Sequence, residues 1–132
     1  MKLKMLTNIG FKKIGSWSLE NEKLIPNLTA EQDSQNVLYS FVLDEEPVYV
    51  GKTTQKFKKR MYGYQNPGRT QFTNIRNNQN IKDALANESS IDIYVLPDYG
   101  LLHFGEFHLN LAAGLEDNIT KTIKPLWNIS GK

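Results

Sequence analysis

Apolar positions along this chain fall into short runs and alternations in its first half and into helical spacings later on. Residues 11–19 and a shorter segment near 22–25 read as an opening hairpin turning around Glu20-Asn21, and the polar stretch 30–35 reads as a loop. Val37, Leu38, Tyr39, Phe41, Val42 and Leu43 are apolar or β-forming, so residues 37–43 predict a strand. A turn over 44–47 leads into a return strand at 48–50, ended by Gly51. Thr53 or Thr54 can cap a helix running to about residue 62, and Asn66-Pro67-Gly68 is a break. A second helix is predicted over about 73–86, closed by Asn87, and the alternation at 91–96 predicts another strand. Leu111, Leu115, Ile119 and Ile123 recur at four-residue spacing, the buried stripe of a last helix within 106–123 that Pro125 terminates. The order β-β-β-β-α-α-β-α predicts a small α+β domain. Its short, mainly antiparallel sheet is flanked by helices, with an N-terminal β-hairpin extension over 1–35 and a core over 36–128.

Composition adds limits. The chain has 132 residues, enough for one domain with one core. It has no cysteine, which excludes disulfides and thiolate metal sites. No apolar run has signal-peptide length or could span a bilayer, so the chain reads as cytoplasmic with no membrane partner. The net charge of +2 says little, but its distribution says more. Lys52, Lys56, Lys58, Lys59, Arg60, Arg69, Arg76 and Lys82 are half of the sixteen basic residues, and no Asp or Glu occurs between Pro47 and Lys82. A merely solvated face mixes signs, so this window suggests a polyanion partner.

Several residues in and around that window could carry chemistry. Tyr39 and Tyr49 close two apolar runs; read alone, each is a strand residue that packs its ring. Gly51-Lys52-Thr53-Thr54 suggests a phosphate loop, but the position needing the first glycine holds Glu46. Arg60 and Tyr64 are four apart, on one helix face if the helix continues, and Arg60 is suited to a bidentate phosphate grip. Glu116 flanks the last helix's buried stripe; it is either a surface residue or a carboxylate looking into a cleft, where it could hold Mg²⁺. His103 and His108 lack the spacing and partners of a zinc site. Trp17 and Trp127 read as packing residues.

In order and spacing, these residues resemble the GIY-YIG nuclease superfamily, over about residues 37–128, and most resemble its stand-alone phage and restriction-type members. Val37-Leu38-Tyr39 stands for the first tripeptide and Tyr49-Val50-Gly51 for the second. Arg60 with Tyr64 matches the helix motif, Glu116 the metal-binding glutamate, and Pro125-Leu126-Trp127-Asn128 the closing segment. Val37 replaces the first motif's glycine, and Tyr64 stands where histidine is commoner.

The resemblance implies a DNA endonuclease that hydrolyses phosphodiester bonds with Mg²⁺ (or Mn²⁺). It implies that Tyr39 takes a proton from the attacking water, held and polarised by Tyr49 and Lys52 and tuned by nearby cations. Arg60 would bind the scissile phosphate, Tyr64 would orient phosphate or water, Glu116 would hold the metal, and Asn128 would maintain the site's architecture. Lys56, Lys58, Lys59 and Arg69 would supply salt-sensitive backbone affinity. Gln71, Asn74 and Arg76 would reach base edges or make loop and cap hydrogen bonds. Cutting both strands would take a homo-oligomer or sequential nicking. The rival readings are a non-catalytic nucleic-acid-binding module on the same fold and a protein-interaction domain with a basic face.

Overall fold

The structure, a computed structural model, describes residues 1–98 and 102–128. Its elements in chain order are α1 (Lys2–Asn8), β1 (Lys12–Glu20), β2 (Lys23–Leu28), β3 (Val37–Leu43), β4 (Glu46–Thr53), α2 (Phe57–Gln65), α3 (Phe72–Ala86), β5 (Ile91–Pro97), β6 (His103–Phe104), β7 (Phe107–His108) and α4 (Leu111–Ile123). Five strands form one antiparallel sheet in the order β2-β1-β5-β3-β4. This is the α+β architecture expected from the sequence.

Two hairpins build most of the sheet, and each turns on two residues of positive φ. Asn21 and Glu22 have φ of 52° and 64°, and Asp44 and Glu45 have 48° and 72°. Two consecutive left-handed residues give the turn whose twist matches that of the flanking strands. The first hairpin therefore turns one residue later than expected, and β2 runs on to Leu28. Pro26 is tolerated in β2 because β2 is a sheet edge. The hairpin is continuous with the main sheet, since β1 also pairs with β5.

The unbroken apolar run of β3 has a clear cause. It pairs with β4 on one side and β5 on the other, and both its faces are covered. One face carries Tyr39, Phe41 and Val37 against Phe57, Met61 and Tyr64 of α2 and Ile81 of α3. The opposite face carries Leu38, with Val50 of β4, against Ala112, Ile119 and Ile123 of α4 and Leu6 of α1. The period-2 alternation of a strand thus sends neighbouring residues to different helical layers.

Three details differ from the sequence expectation. Helix α1 was not anticipated, because seven residues give too few turns for a periodic signal; it is held by Leu6, which is buried. Helix α2 starts at Phe57, four residues after Thr53, with Lys56 at its N-cap and no side-chain cap. Thr53 is instead the last residue of β4, paired with Val37, and its Oγ1 accepts from the Gln55 N–H. The two-residue strands β6 and β7 form a small exposed hairpin ahead of α4, where no strand was expected. Among the described residues, no helix is long and apolar enough to cross a membrane.

Candidate active site

The strand register places Tyr39 opposite Gly51. That pairing explains the glycine. A Cβ at position 51 would lie 2.8 Å from both Cζ and the hydroxyl of Tyr39, and 2.9 Å from Cε2 of Tyr49. Real Cβ atoms do not approach so closely, so a side chain at position 51 would push the two tyrosine rings from where they lie over β4. The Tyr49 ring stacks on Phe41, with centroids 5.6 Å apart, and lies 6.2 Å from the Tyr39 ring.

Helix α2 presents its inner face to these rings, and Arg60 is the hub of what results. Its Nε donates to the Tyr39 hydroxyl at 3.2 Å, and its Nη2 donates to the Tyr64 hydroxyl at 2.8 Å. Its Nη1 donates to Oδ1 of Asn74 on α3 at 2.9 Å. The two tyrosine hydroxyls share a hydrogen bond of 2.5 Å. Each accepts from Arg60, and one must donate to the other, so one phenolic proton remains for an incoming acceptor. Tyr39 and Tyr64 are both fully buried, whereas Arg60 is only partly so.

Burial decides how these phenols titrate. Desolvation pushes the Tyr39 pKa far above the ordinary tyrosine value, and nearby Tyr49 pushes the same way. Arg60 acts in the opposite sense, as the sequence reading anticipated, but burial outweighs it. Tyr64 is raised chiefly by burial as well, with Tyr39 adding to it. Both hydroxyls are therefore protonated at neutral pH. The sign of the linkage follows. Below about pH 10 the folded and unfolded chains hold these protons equally. Above it the unfolded chain releases them and the folded chain does not, so stability falls as pH rises, by about 1.4 kcal/mol per pH unit for each tyrosine. Thermal melting followed from pH 8 to 11 is expected to show a steep alkaline loss, and Tyr39→Phe is expected to shed about half of the tyrosine share. An unchanged slope in that variant would mean that Tyr39 ionises as freely in the fold as outside it.

Asn74 and Gln71 are drawn into this arrangement. Asn74 is buried; its Oδ1 accepts from Arg60, and its Nδ2 donates to Gln71 Oε1 at 3.1 Å. Gln71 Oε1 also accepts from the Gly68 N–H at 2.8 Å. These contacts are the loop and cap bonding that the sequence left open beside base contact. Asn78, which the sequence reading did not single out, donates to the Tyr64 carbonyl at 2.7 Å and ties α3 to the end of α2. The available signal was four asparagines in one helix, since asparagine is a poor helix former favoured where its side chain finds hydrogen-bond partners.

Glu116 and Lys52 stand apart from the tyrosines. Lys52 pairs in register with Leu38, whose side chain belongs to the α4 face, and Lys52 Nζ lies 3.5 Å from Glu116 Oε1. Tyr39, Tyr49, Arg60 and Tyr64 lie on the α2 face. The adjacent β4 residues Gly51 and Lys52 serve the two groups separately, Gly51 the tyrosines and Lys52 the carboxylate.

The outer edge of β4 is covered by the chain after α4. Lys124 reverses the chain in the left-handed conformation at the helix end. Trp127 N–H donates to the Val48 carbonyl at 2.7 Å. The Asn128 side chain accepts from the Val50 N–H and donates to the Val50 carbonyl, both at 2.9 Å. One amide thereby satisfies both outward backbone groups of the residue before Gly51, as a neighbouring strand would.

The basic window is partly neutralised by acids from elsewhere in the chain. Lys58 pairs with Asp33 at 3.3 Å, and Lys52 with Glu116. Lys56, Lys59 and Arg69 are exposed and, among the described residues, have no acidic partner. Among those same residues no three His, Asp or Glu side chains gather into a metal cluster.

Neither a protein-family model nor a curated protein matches this chain. Solved structures do. A mutant of bacteriophage T4 EndoII superposes with a TM-score of 0.72 at 22% identity, covering 98% of this chain and 100% of that one. The restriction endonuclease HPY188I, in complex with product DNA, superposes with a TM-score of 0.51 at 16% identity, covering 89% of this chain and 76% of the other. At these identities the likeness establishes a shared fold, one that is found in a DNA-cleaving enzyme.

Proposed function

We propose that this chain is a divalent-metal-dependent DNA endonuclease of the GIY-YIG type, restriction-like or phage-like in organisation. The observation that carries this reading is the Arg60 hub: a guanidinium and two tyrosine hydroxyls locked together beside a glycine where any side chain would displace the tyrosine rings. A fold of this size spends a partly buried cation and two buried hydroxyls on one point only for a strong reason, and a phosphodiester is a substrate that needs all three. Its hydrolysis requires an activated water, charge stabilisation on the phosphoryl oxygens and help for the leaving oxygen.

In this reading Arg60 takes a non-bridging phosphoryl oxygen and stabilises the charge that builds in the transition state. Tyr39 accepts the attacking water's proton. Because burial keeps Tyr39 protonated, it does so as a relay: Arg60 Nε moves from the Tyr39 oxygen to the phosphate, the freed lone pair takes the water's proton, and Tyr39 passes its own hydroxyl proton to a phosphate oxygen in the same step. Tyr64 holds the Tyr39 oxygen in place, and Tyr49 walls the site. Glu116, a lone carboxylate paired with Lys52, would hold a hard dication of the Mg²⁺ or Mn²⁺ kind. Such an ion would supply Lewis-acid stabilisation of developing negative charge. Lys52 neutralises Glu116 when no dication is held there. Asn128 acts through Val50, fixing the edge strand on which Gly51 sits. One such site cuts one strand, so double-strand cleavage takes a homo-oligomer or two successive nicks.

Supercoiled plasmid tests the reading directly. Mg²⁺ is expected to support nicked and linear products, and EDTA to abolish them. Failure to cut plasmid or genomic DNA in Mg²⁺ or Mn²⁺, with the DNA still bound, would replace this reading with the non-catalytic binding module.

A further inference from the structure

Helix α3 has its polarity inverted over its first two turns. Asn74, Asn77 and Asn78 are buried, while Phe72 is 69% exposed and Ile75 39% exposed. A helix that only covered the sheet would have these exchanged. Two of the asparagines have inward partners in Arg60 and the Tyr64 carbonyl. Phe72 leaves most of its surface, and Ile75 more than a third, in solvent.

Their surroundings point to an occupant. Phe72, Ile75 and Arg76 share one helix face by their spacing of three and four. Arg76 Nε is buried and has no hydrogen-bond partner. Arg69, three residues before Phe72, is exposed, and no acidic residue lies in the first turn of α3 or anywhere from 48 to 82. An exposed ring in an acid-free field of cations suits a stacked polyanion better than an apolar protein surface. Asn74, which accepts from Arg60, is two residues after Phe72 and turns to the opposite side of the helix, so the exposed ring and the active site flank the first turn of α3 from its two sides.

We infer that Phe72, backed by Ile75, is a wedge that enters DNA between base pairs at the edge of the active site, across the first turn of α3 from Arg60. Apolar side chains inserted at a base step unstack it and bend the duplex. Arg69 and Arg76 would hold the flanking phosphates. Pyrimidine–purine steps would be favoured, because they cost least to open. The inference rests on the nuclease reading.

The test uses a duplex spanning a cleavage position mapped on plasmid, with 2-aminopurine placed at successive steps and binding read in EDTA. The wild-type protein is expected to raise 2-aminopurine fluorescence at one step next to the cut. Phe72→Ala is expected to abolish that rise and weaken binding about tenfold, the scale of one lost base–aromatic stack. Phe72→Trp is expected to restore both. Phe104, 83% exposed on the β6–β7 hairpin, provides the comparison, and Phe104→Ala is expected to change neither. Wild-type binding without any fluorescence rise, or a Phe72→Ala protein equal to wild type, overturns the wedge and leaves the nuclease reading standing. Absence of both cleavage and binding overturns that reading, and the wedge with it.

Discussion

Arg60→Lys is expected to lower the cleavage rate about 10³-fold, within the range for a lost transition-state cation, while the protein still folds and still binds DNA. Lysine keeps the positive charge, so non-specific attraction to the phosphate backbone survives. What it loses is shape. Arg60 makes hydrogen bonds from three different nitrogens to three fixed partners, Tyr39, Tyr64 and Asn74. Those bonds set the plane of the guanidinium and the positions of both hydroxyls. A single ammonium cannot satisfy three partners in that geometry, nor offer a planar fork to a phosphate. Single-turnover cleavage and fluorescence anisotropy, measured on the same DNA, separate the two effects. The loss is expected in the chemical step, with affinity changed little. A lysine variant that cuts within about tenfold of wild type would show that Arg60 serves as bulk charge.

Glu116→Ala is expected to reduce cleavage to the level seen in EDTA, a fall of about 10³-fold on the scale of one removed electrostatic stabiliser. DNA binding is expected to hold or tighten. The carboxylate is partly exposed and neutralises Lys52 at 3.5 Å, so its loss removes a negative charge and frees a cation. Stability is expected to change little, because an exposed ion pair contributes about 1 kcal/mol or less. Cleavage in Mg²⁺ and the midpoint of binding against salt are the measurements. Persistent metal-dependent cutting at the wild-type rate would remove Glu116 from the metal's ligands.

Local pattern made much of the fold legible. The β-branched and aromatic run at 37–43 reads as a strand because such residues fit a doubly covered pleated surface, and it is one. The four-residue repeat of Leu111, Leu115, Ile119 and Ile123 reads as the inner stripe of a helix; Ile119 and Ile123 are buried there and Leu115 partly so. Helix α3 was legible as a helix, and its inner face was not. Hydrophobic periodicity would have turned Phe72 and Ile75 inward, whereas Asn74, Asn77 and Asn78 occupy that place. Periodicity reads burial as if only apolar side chains were buried. It fails where a polar group is buried in order to hold another. Short elements escaped for a different reason: α1 and the β6–β7 hairpin contain too few residues for any period to show.

The sequence by itself determined the α+β class, the two main hairpins and the acid-free cationic window. These follow from residue type and spacing along the chain, which are local quantities. Tertiary structure alone decided that Arg60 bonds Tyr39, Tyr64 and Asn74 at once, and that Gly51 is the residue the tyrosines require. It likewise decided that Asn128 completes the edge of β4, and that Glu116 stands with Lys52 on the other face of the sheet. Each of these depends on strand register and on which helix covers which face. A shift of one residue in register sends every side chain to the opposite layer, and that choice is made by the packing of the whole core.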